Sequence, residues 1–124
     1  MAKKLNDDDI KLLQEPQLAQ VATVNPDGTP QITPVWVDTD GEAVVFNTAE
    51  GRVKHRNLAR NPAVEVVVVD RNDDYRLVRV KGNAEITREG ADEHIDKMAH
   101  KYLGTDYPWR KEGEQRVIVR VVPE

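Results

Sequence analysis

Between Asn47 and Pro62 the chain reads NTAEGRVKHRNLARNP, the densest basic stretch of an otherwise acidic sequence. Arg52, Lys54, His55, Arg56 and Arg60 crowd together just after the small-residue turn Thr48-Ala49-Glu50-Gly51. The chemistry such residues can do is to hold an anion. Good helix formers from Gly51 to Arg60, no β-branched residue beyond Val53, and Pro62 as a stop predict a short helix here. Its first turn would offer unpaired N–H groups and the positive end of the helix dipole. Arg52 and Arg56, four apart, could lean towards one anion from the same face. Lys54 points away from that face in a regular helix and joins the pair only if the first turn is irregular. A solvated basic face that balances the acidic turns would read the same way at this stage.

The other chemistry-bearing types are sparse. Trp36 stands beside Pro34 and Val35, where an aromatic side chain serves either the core or a pocket wall. Tyr75, Tyr102, Tyr107 and Trp109 have similar status, but Tyr107-Pro108-Trp109-Arg110 lies in a loop, where packing explains aromatics less easily. That loop could close a pocket or cover a subunit interface. His94 and His100 are six apart on a helix and cannot share a metal from one face, and His55 sits among cations, so no metal site is expected. Asp7-Asp8-Asp9 and Asp73-Asp74 read as capping and turn residues. Serine and cysteine are both absent, which removes a serine nucleophile, disulfides and thiolate chemistry. No P-loop, GxSxG or GxGxxG occurs. A chain with an anion cradle and no catalytic engine either binds a phosphorylated ligand passively or borrows its chemistry from a cofactor.

The elements that must position these residues are mostly strands. LNDDDIKLLQ, with capping-type Asn6 and Asp7 and an acidic first turn, predicts a short N-terminal helix. QLAQVATV (17–24), TPQITPVWVD (29–38) and EAVVFNT (42–48), joined by the turns NPDG and DTDG, predict a three-stranded antiparallel meander. Pro34 cannot donate to a ladder, so it belongs at an edge or a bulge, and Thr33 to Trp36 become candidates to face a ligand. AVEVVVVD (63–70) reads as a central, well-buried strand. YRLVRVKGNAEIT (75–87) alternates, with Tyr75, Leu77, Arg79 and Lys81 on one face, and Gly82 suggests a bulge or bend. REGADEHIDKMAHKYLG (88–104) is a helix whose Gly104 suits the C′ position. RVIVRVVP (116–123) closes the set. Six strands and two or three short helices make a mainly β fold, a small antiparallel β-barrel with helical caps.

The 124 residues suit one domain, 1–124, with a modest core. A formal charge of −4 and a pI near 5.4 argue against a general nucleic-acid or membrane-surface binder. A polar start, MAKKLNDDD, and no apolar run of membrane length make a cytoplasmic protein the expectation.

The order of these segments resembles the pyridoxamine-5′-phosphate-oxidase-like flavin-binding split β-barrels. It is most similar to their small deazaflavin-dependent (coenzyme F420) oxidoreductase branch. The likeness spans nearly the whole chain. Its most specific piece is the strand ending in Asn47-Thr48 followed by R-x-K-x-R-N-L-x-R-N-P, supported by G-T-P-x-x-x-P-V-W. The resemblance implies a six-stranded split barrel. Arg52 and Lys54, with Arg56 nearby, would hold a cofactor phosphate. Thr33, Pro34, Val35 and Trp36 would line the ring system, and Thr48 and Ala49 would meet the linking chain. It also implies a homodimer with cofactor sites at the interface, where Tyr75, Arg79, Trp109 and Arg110 are candidates to reach the partner's site.

The activity implied is hydride transfer between coenzyme F420 and a small organic acceptor, with no side-chain nucleophile. FMN in the same barrel is the alternative cofactor. F420, with a phosphodiester and a polyglutamate tail, favours the longer cationic track that Arg52, Lys54, Arg56 and Arg60 could provide. A barrel that sequesters a flavin or tetrapyrrole without turnover, or one with no small ligand, would also fit the missing catalytic side chains. The chain stops straight after its last strand, without the C-terminal segment of true pyridoxamine-phosphate oxidases, so vitamin B6 is not the expected substrate.

Overall fold

The structure, a computed structural model, describes residues 4–124; Met1 to Lys3, part of the polar start, lie outside the described residues. Asn6 caps α1 (Asp7–Gln14) as its type predicts. Its side chain accepts the Asp9 N–H at 2.8 Å, and the Asp9 carboxylate accepts the Asn6 N–H at 3.0 Å. The reciprocal pair satisfies amides that a helix start leaves free. Leu12 and Leu13 of this helix are buried in the barrel core.

One antiparallel sheet in the order β2-β1-β5-β6-β7-β4-β3 curls into the split barrel. Its strands are β1 (Leu18–Val24), β2 (Pro30–Trp36), β3 (Asp38–Thr39), β4 (Val44–Ala49), β5 (Ala63–Asp70), β6 (Asp73–Thr87) and β7 (Arg116–Val121). The long β6 serves two neighbours, pairing β5 up to Asn83 and β7 from Ala84 onward. Gly82, still paired with Val64 of β5, lies just before the change. A Cβ there would stand 2.3 Å from the Val122 carbonyl oxygen, so only glycine allows this approach. Two more helices, α2 (Val53–Arg60) and α3 (Ala91–Leu103), cap the barrel, and Gly104 ends α3 in the left-handed region at φ 79°.

The core is mostly valine: Val21, Val66, Val68, Val117, Val119 and Val121 are almost wholly buried around Phe46. β-branched side chains pack well on a pleated surface, which is why these runs form strands rather than helices.

Three expectations change. Seven strands form instead of six, because the segment 29–38 breaks at Val37. The Val37 N–H bonds the Tyr102 hydroxyl at 3.0 Å and its carbonyl accepts from Lys101 Nζ at 2.6 Å, so it is unavailable to a ladder. The break also undoes the meander. β1 and β2 pair through the NPDG turn, but β2 ends the sheet at one edge, while β4 lies near the other and pairs with β3 and β7. Finally, β5 is flanked on both sides yet buried on one face only, with Val69 outward and 41% exposed. Pro34 does sit on an edge strand, opposite Gln20, with no bulge.

Among the described residues, no helix is long and apolar enough to cross a membrane.

Candidate functional site

A cavity of about 310 Å³ opens where the end of β2 approaches the end of β4, at the split in the barrel. One wall is Pro34, Val35 and Trp36 of β2, with Leu18 beside them. Asn47 and Thr48 form the floor at the end of β4, and Arg52 and Lys54 close the basic end.

The helix start explains how both cations reach the cavity. Arg52 is the N-cap of α2, with extended backbone (φ −69°, ψ 155°) and no side-chain cap bond. Arg52 therefore leaves the helix geometry that would pair it with Arg56, and Lys54, in the first turn, joins it instead. Arg56, expected near the anion, is exposed and does not line the cavity. Arg60 also faces elsewhere, donating to the Val24 carbonyl. The extended cationic track anticipated from the spacing does not form.

Lys54 is 8% exposed and pairs with no carboxylate among the described residues. Burial, then the Arg52 charge beside it, pushes its pKa below the ordinary lysine value. The Thr48 hydroxyl, on the cavity floor, is buried and has no hydrogen-bond partner among the described residues. A buried cation without an anionic partner and a buried hydroxyl without a hydrogen bond are costly, and an anionic, oxygen-rich ligand would relieve both. The residues present thus fit a phosphorylated group.

Two further residues expected at the site are not on the cavity wall. Thr33 is paired with Val21 on the core-facing side of β2, and its hydroxyl is buried there without a partner. Ala49 is buried, and its carbonyl accepts the Arg52 N–H at 3.3 Å, so it shapes the turn into α2.

The aromatic loop folds over the cavity of its own chain. Trp36 stacks on Tyr102 at 5.1 Å and 14°, and meets Tyr107 edge-on at 6.2 Å and Trp109 at 6.4 Å. Trp109 lines this cavity. Arg110 ties the loop to α3 through Asp96 and, at 3.5 Å, Asp92. Tyr75 is 96% exposed, and Arg79 is paired with Glu65 on the sheet's outer face.

Several lining residues carried no sequence signal. Arg116, 4% exposed, is a third cation on the cavity wall. It donates to the Tyr107 hydroxyl at 2.6 Å, lies 4.8 Å from that ring's centroid, and reaches Asn47 Oδ1 at 3.4 Å. The Asn47 amide donates in turn to the Ala91 carbonyl at 3.0 Å and meets His94 Nδ1 at 3.1 Å. Burial holds the His94 pKa down, so its ring is neutral and Nδ1 is free to accept. Ile95 and Met98 of α3 complete the apolar side.

Comparison with known proteins agrees with this geometry. Residues 7–124 match the family model described as pyridoxamine 5′-phosphate oxidase. The fold is similar to that of an F420 reductase, at 36% identity and TM-score 0.82, over 92% of this chain and 91% of that one. It is also similar to HupZ of Group A Streptococcus, at 28% identity and TM-score 0.69, over 94% and 88% of the two chains. The conserved hypothetical protein Rv2991 of Mycobacterium tuberculosis matches at 25% identity and TM-score 0.75, over 99% and 82%. With the split barrel, the cationic helix start and a family match over almost its entire length, the chain belongs to the pyridoxamine 5′-phosphate oxidase family.

Proposed function

We propose that the protein is a coenzyme F420-dependent oxidoreductase acting on a small organic acceptor. The observation that carries this reading is the uncompensated Lys54, buried beside Arg52 at the mouth of α2 and facing a wall of Trp36, Val35 and Pro34. Such a site suits a flat ring system with a phosphate at one end. The 36% identity to an F420 reductase across nine-tenths of both chains supports the deazaflavin over other ring systems. FMN is the second reading. It is favoured by the compactness of the cation group, since Arg56 and Arg60 do not extend it.

In this reading Lys54, Arg52 and the first amides of α2 bind the phosphate, and Thr48 donates to it. Trp36, held by its stack on Tyr102, fixes the plane of the ring, and Trp109 and Tyr107 keep water from it. The bound cofactor supplies the hydride. No side chain here need become covalently attached to substrate.

The cavity is completed by a second copy of the chain. Trp36 is registered opposite Leu18, Leu18 and Val69 line one groove next to the Ala19–Val68 pair, and Val69 is registered opposite Leu77. Leu18, Val69 and Leu77 are 51%, 41% and 50% exposed, so an apolar row runs from the cavity wall across the open sheet face. A homodimer that buries this row would place each cofactor site at the interface.

Titration with F420 and with FMN, followed by anaerobic mixing of the reduced cofactor with enones, quinones and nitro compounds, tests the proposal. Saturable F420 binding and acceptor-dependent reoxidation are expected, from a species of twice the 14.0 kDa chain mass. Binding without reoxidation would make the protein a carrier, and no binding of either cofactor would remove the reading.

A further inference from the structure

Glu114 lies in the segment between the aromatic loop and β7, and its carboxylate touches two of the three cavity cations. One oxygen, Oε1, is 3.0 Å from Arg116 Nε, and the other, Oε2, is 3.4 Å from Arg52 Nη2. The glutamate side chain is only 13% exposed. No sequence motif marks it, and the cofactor reading assigns it no task.

Charge accounting at the site gives it one. Arg52, Lys54 and Arg116 bring three positive charges to the cavity. Glu114 offsets one of them and divides its two oxygens between the arginines, so two net positive charges remain, and Lys54 is the cation with no carboxylate among the described residues. A ligand phosphate held by Arg52 or Arg116 has this fixed carboxylate on the far side of the same guanidinium groups, so each extra negative charge on the ligand is repelled in a setting where screening is weak. A phosphodiester carries one charge. A phosphomonoester carries nearly two at neutral pH.

We infer that Glu114 is a built-in counter-ion that lowers the positive charge of this anion site and so shifts its preference from a phosphomonoester towards a phosphodiester. The inference rests on the cofactor reading above and deepens it. It weights the site by charge towards F420, a diester, relative to FMN, a monoester. Glu114 is then a specificity-determining residue that acts through the two arginines it holds.

The test compares FMN with its phosphate monomethyl ester, which share ring and ribityl chain and differ by one charge. Both are titrated by flavin fluorescence against the wild-type protein, Glu114→Gln and Glu114→Asp. In Glu114→Gln the affinity ratio should move on the order of tenfold towards FMN, because the removed carboxylate repelled the dianion more than the monoanion. Glu114→Asp, which keeps the charge, should hold the ratio within about threefold of wild type. Circular dichroism confirms that the variants fold, and the near-isosteric Gln leaves the loop its size. An equal change for both esters in Glu114→Gln would overturn the counter-ion role while the cofactor reading stands. Failure of the wild-type protein to bind F420 or either flavin ester would overturn both.

Discussion

Two buried lysines, Lys54 and Lys101, show how the same side chain serves two ends of one molecule. Burial lowers the pKa of each below the usual lysine value. Lys101, on α3, is fully engaged. Its ammonium donates to the Leu13 carbonyl at 2.7 Å and the Val37 carbonyl at 2.6 Å, with Asp38 at 3.9 Å. Those bonds join α1, α3 and the break between β2 and β3. Lys54 faces the cavity, has only Arg52 as a charged neighbour of consequence, and has no anionic partner among the described residues. The first lysine has its desolvation offset within the fold; the second is offset only when a ligand arrives. A structural cation and a binding cation are thus told apart by what surrounds the ammonium, not by its depth.

The largest effect expected from this contrast is on stability at Lys101. Lys101→Met strips two charge-assisted bonds from carbonyls beneath α3 and should cost about 3 kcal/mol of unfolding free energy. Urea unfolding would measure it, and a loss below about 1 kcal/mol would mean that the three elements hold without the lysine. Lys54→Met should do the reverse. Cofactor affinity falls by about 2 kcal/mol, roughly thirtyfold, while the ligand-free protein is no less stable, because an unpaired buried charge has been removed.

Next in size is pH. In the free protein the Lys54 pKa lies below the unfolded lysine value, and a bound anion raises it again. Affinity is therefore complete below the lowered pKa and falls as pH rises through it, by at most tenfold per pH unit. Ligand-free stability moves the other way. Between the lowered pKa and the ordinary value near 10.5 the unfolded chain binds more protons, so stability rises with pH across that window. Lys101 adds a term of the same sign, so the difference between wild type and Lys54→Met isolates Lys54. A pH profile of affinity that is the same in both proteins would break the comparison.

The smallest effect should come from Arg56, which the spacing placed beside Arg52. Because it does not line the cavity, Arg56→Ala should change cofactor affinity by less than about 0.5 kcal/mol. A larger loss would show that the helix start rearranges on binding.

Much of the fold was legible where one local rule decided the outcome. The Asn6 cap, the edge position of Pro34 and the left-handed Gly104 each follow from one residue's covalent chemistry. The meander was misread because Val37 gives its backbone groups to Tyr102 and Lys101, residues some sixty positions away that no local pattern announces.

The site divides in the same manner. Arg52, Lys54, Thr48 and Pro34 to Trp36, which spacing and resemblance single out, all line the cavity. Arg116, Asn47, Ile95, Met98 and Glu114 were not singled out. β4 is buried on both faces, so Asn47 gives no alternation to read, and Arg116 looks like an ordinary charged strand end until Tyr107 and Glu114 are seen against it.

Lys54 as the cation that awaits an anion is tested most directly by following its ammonium by nitrogen-15 NMR, assigned with Lys54→Met, as F420 is added. The account predicts that the Lys54 pKa starts below the ordinary lysine value and climbs when the cofactor binds, while that of Lys101 stays in place. A Lys54 resonance whose titration is the same with and without saturating F420 would contradict it.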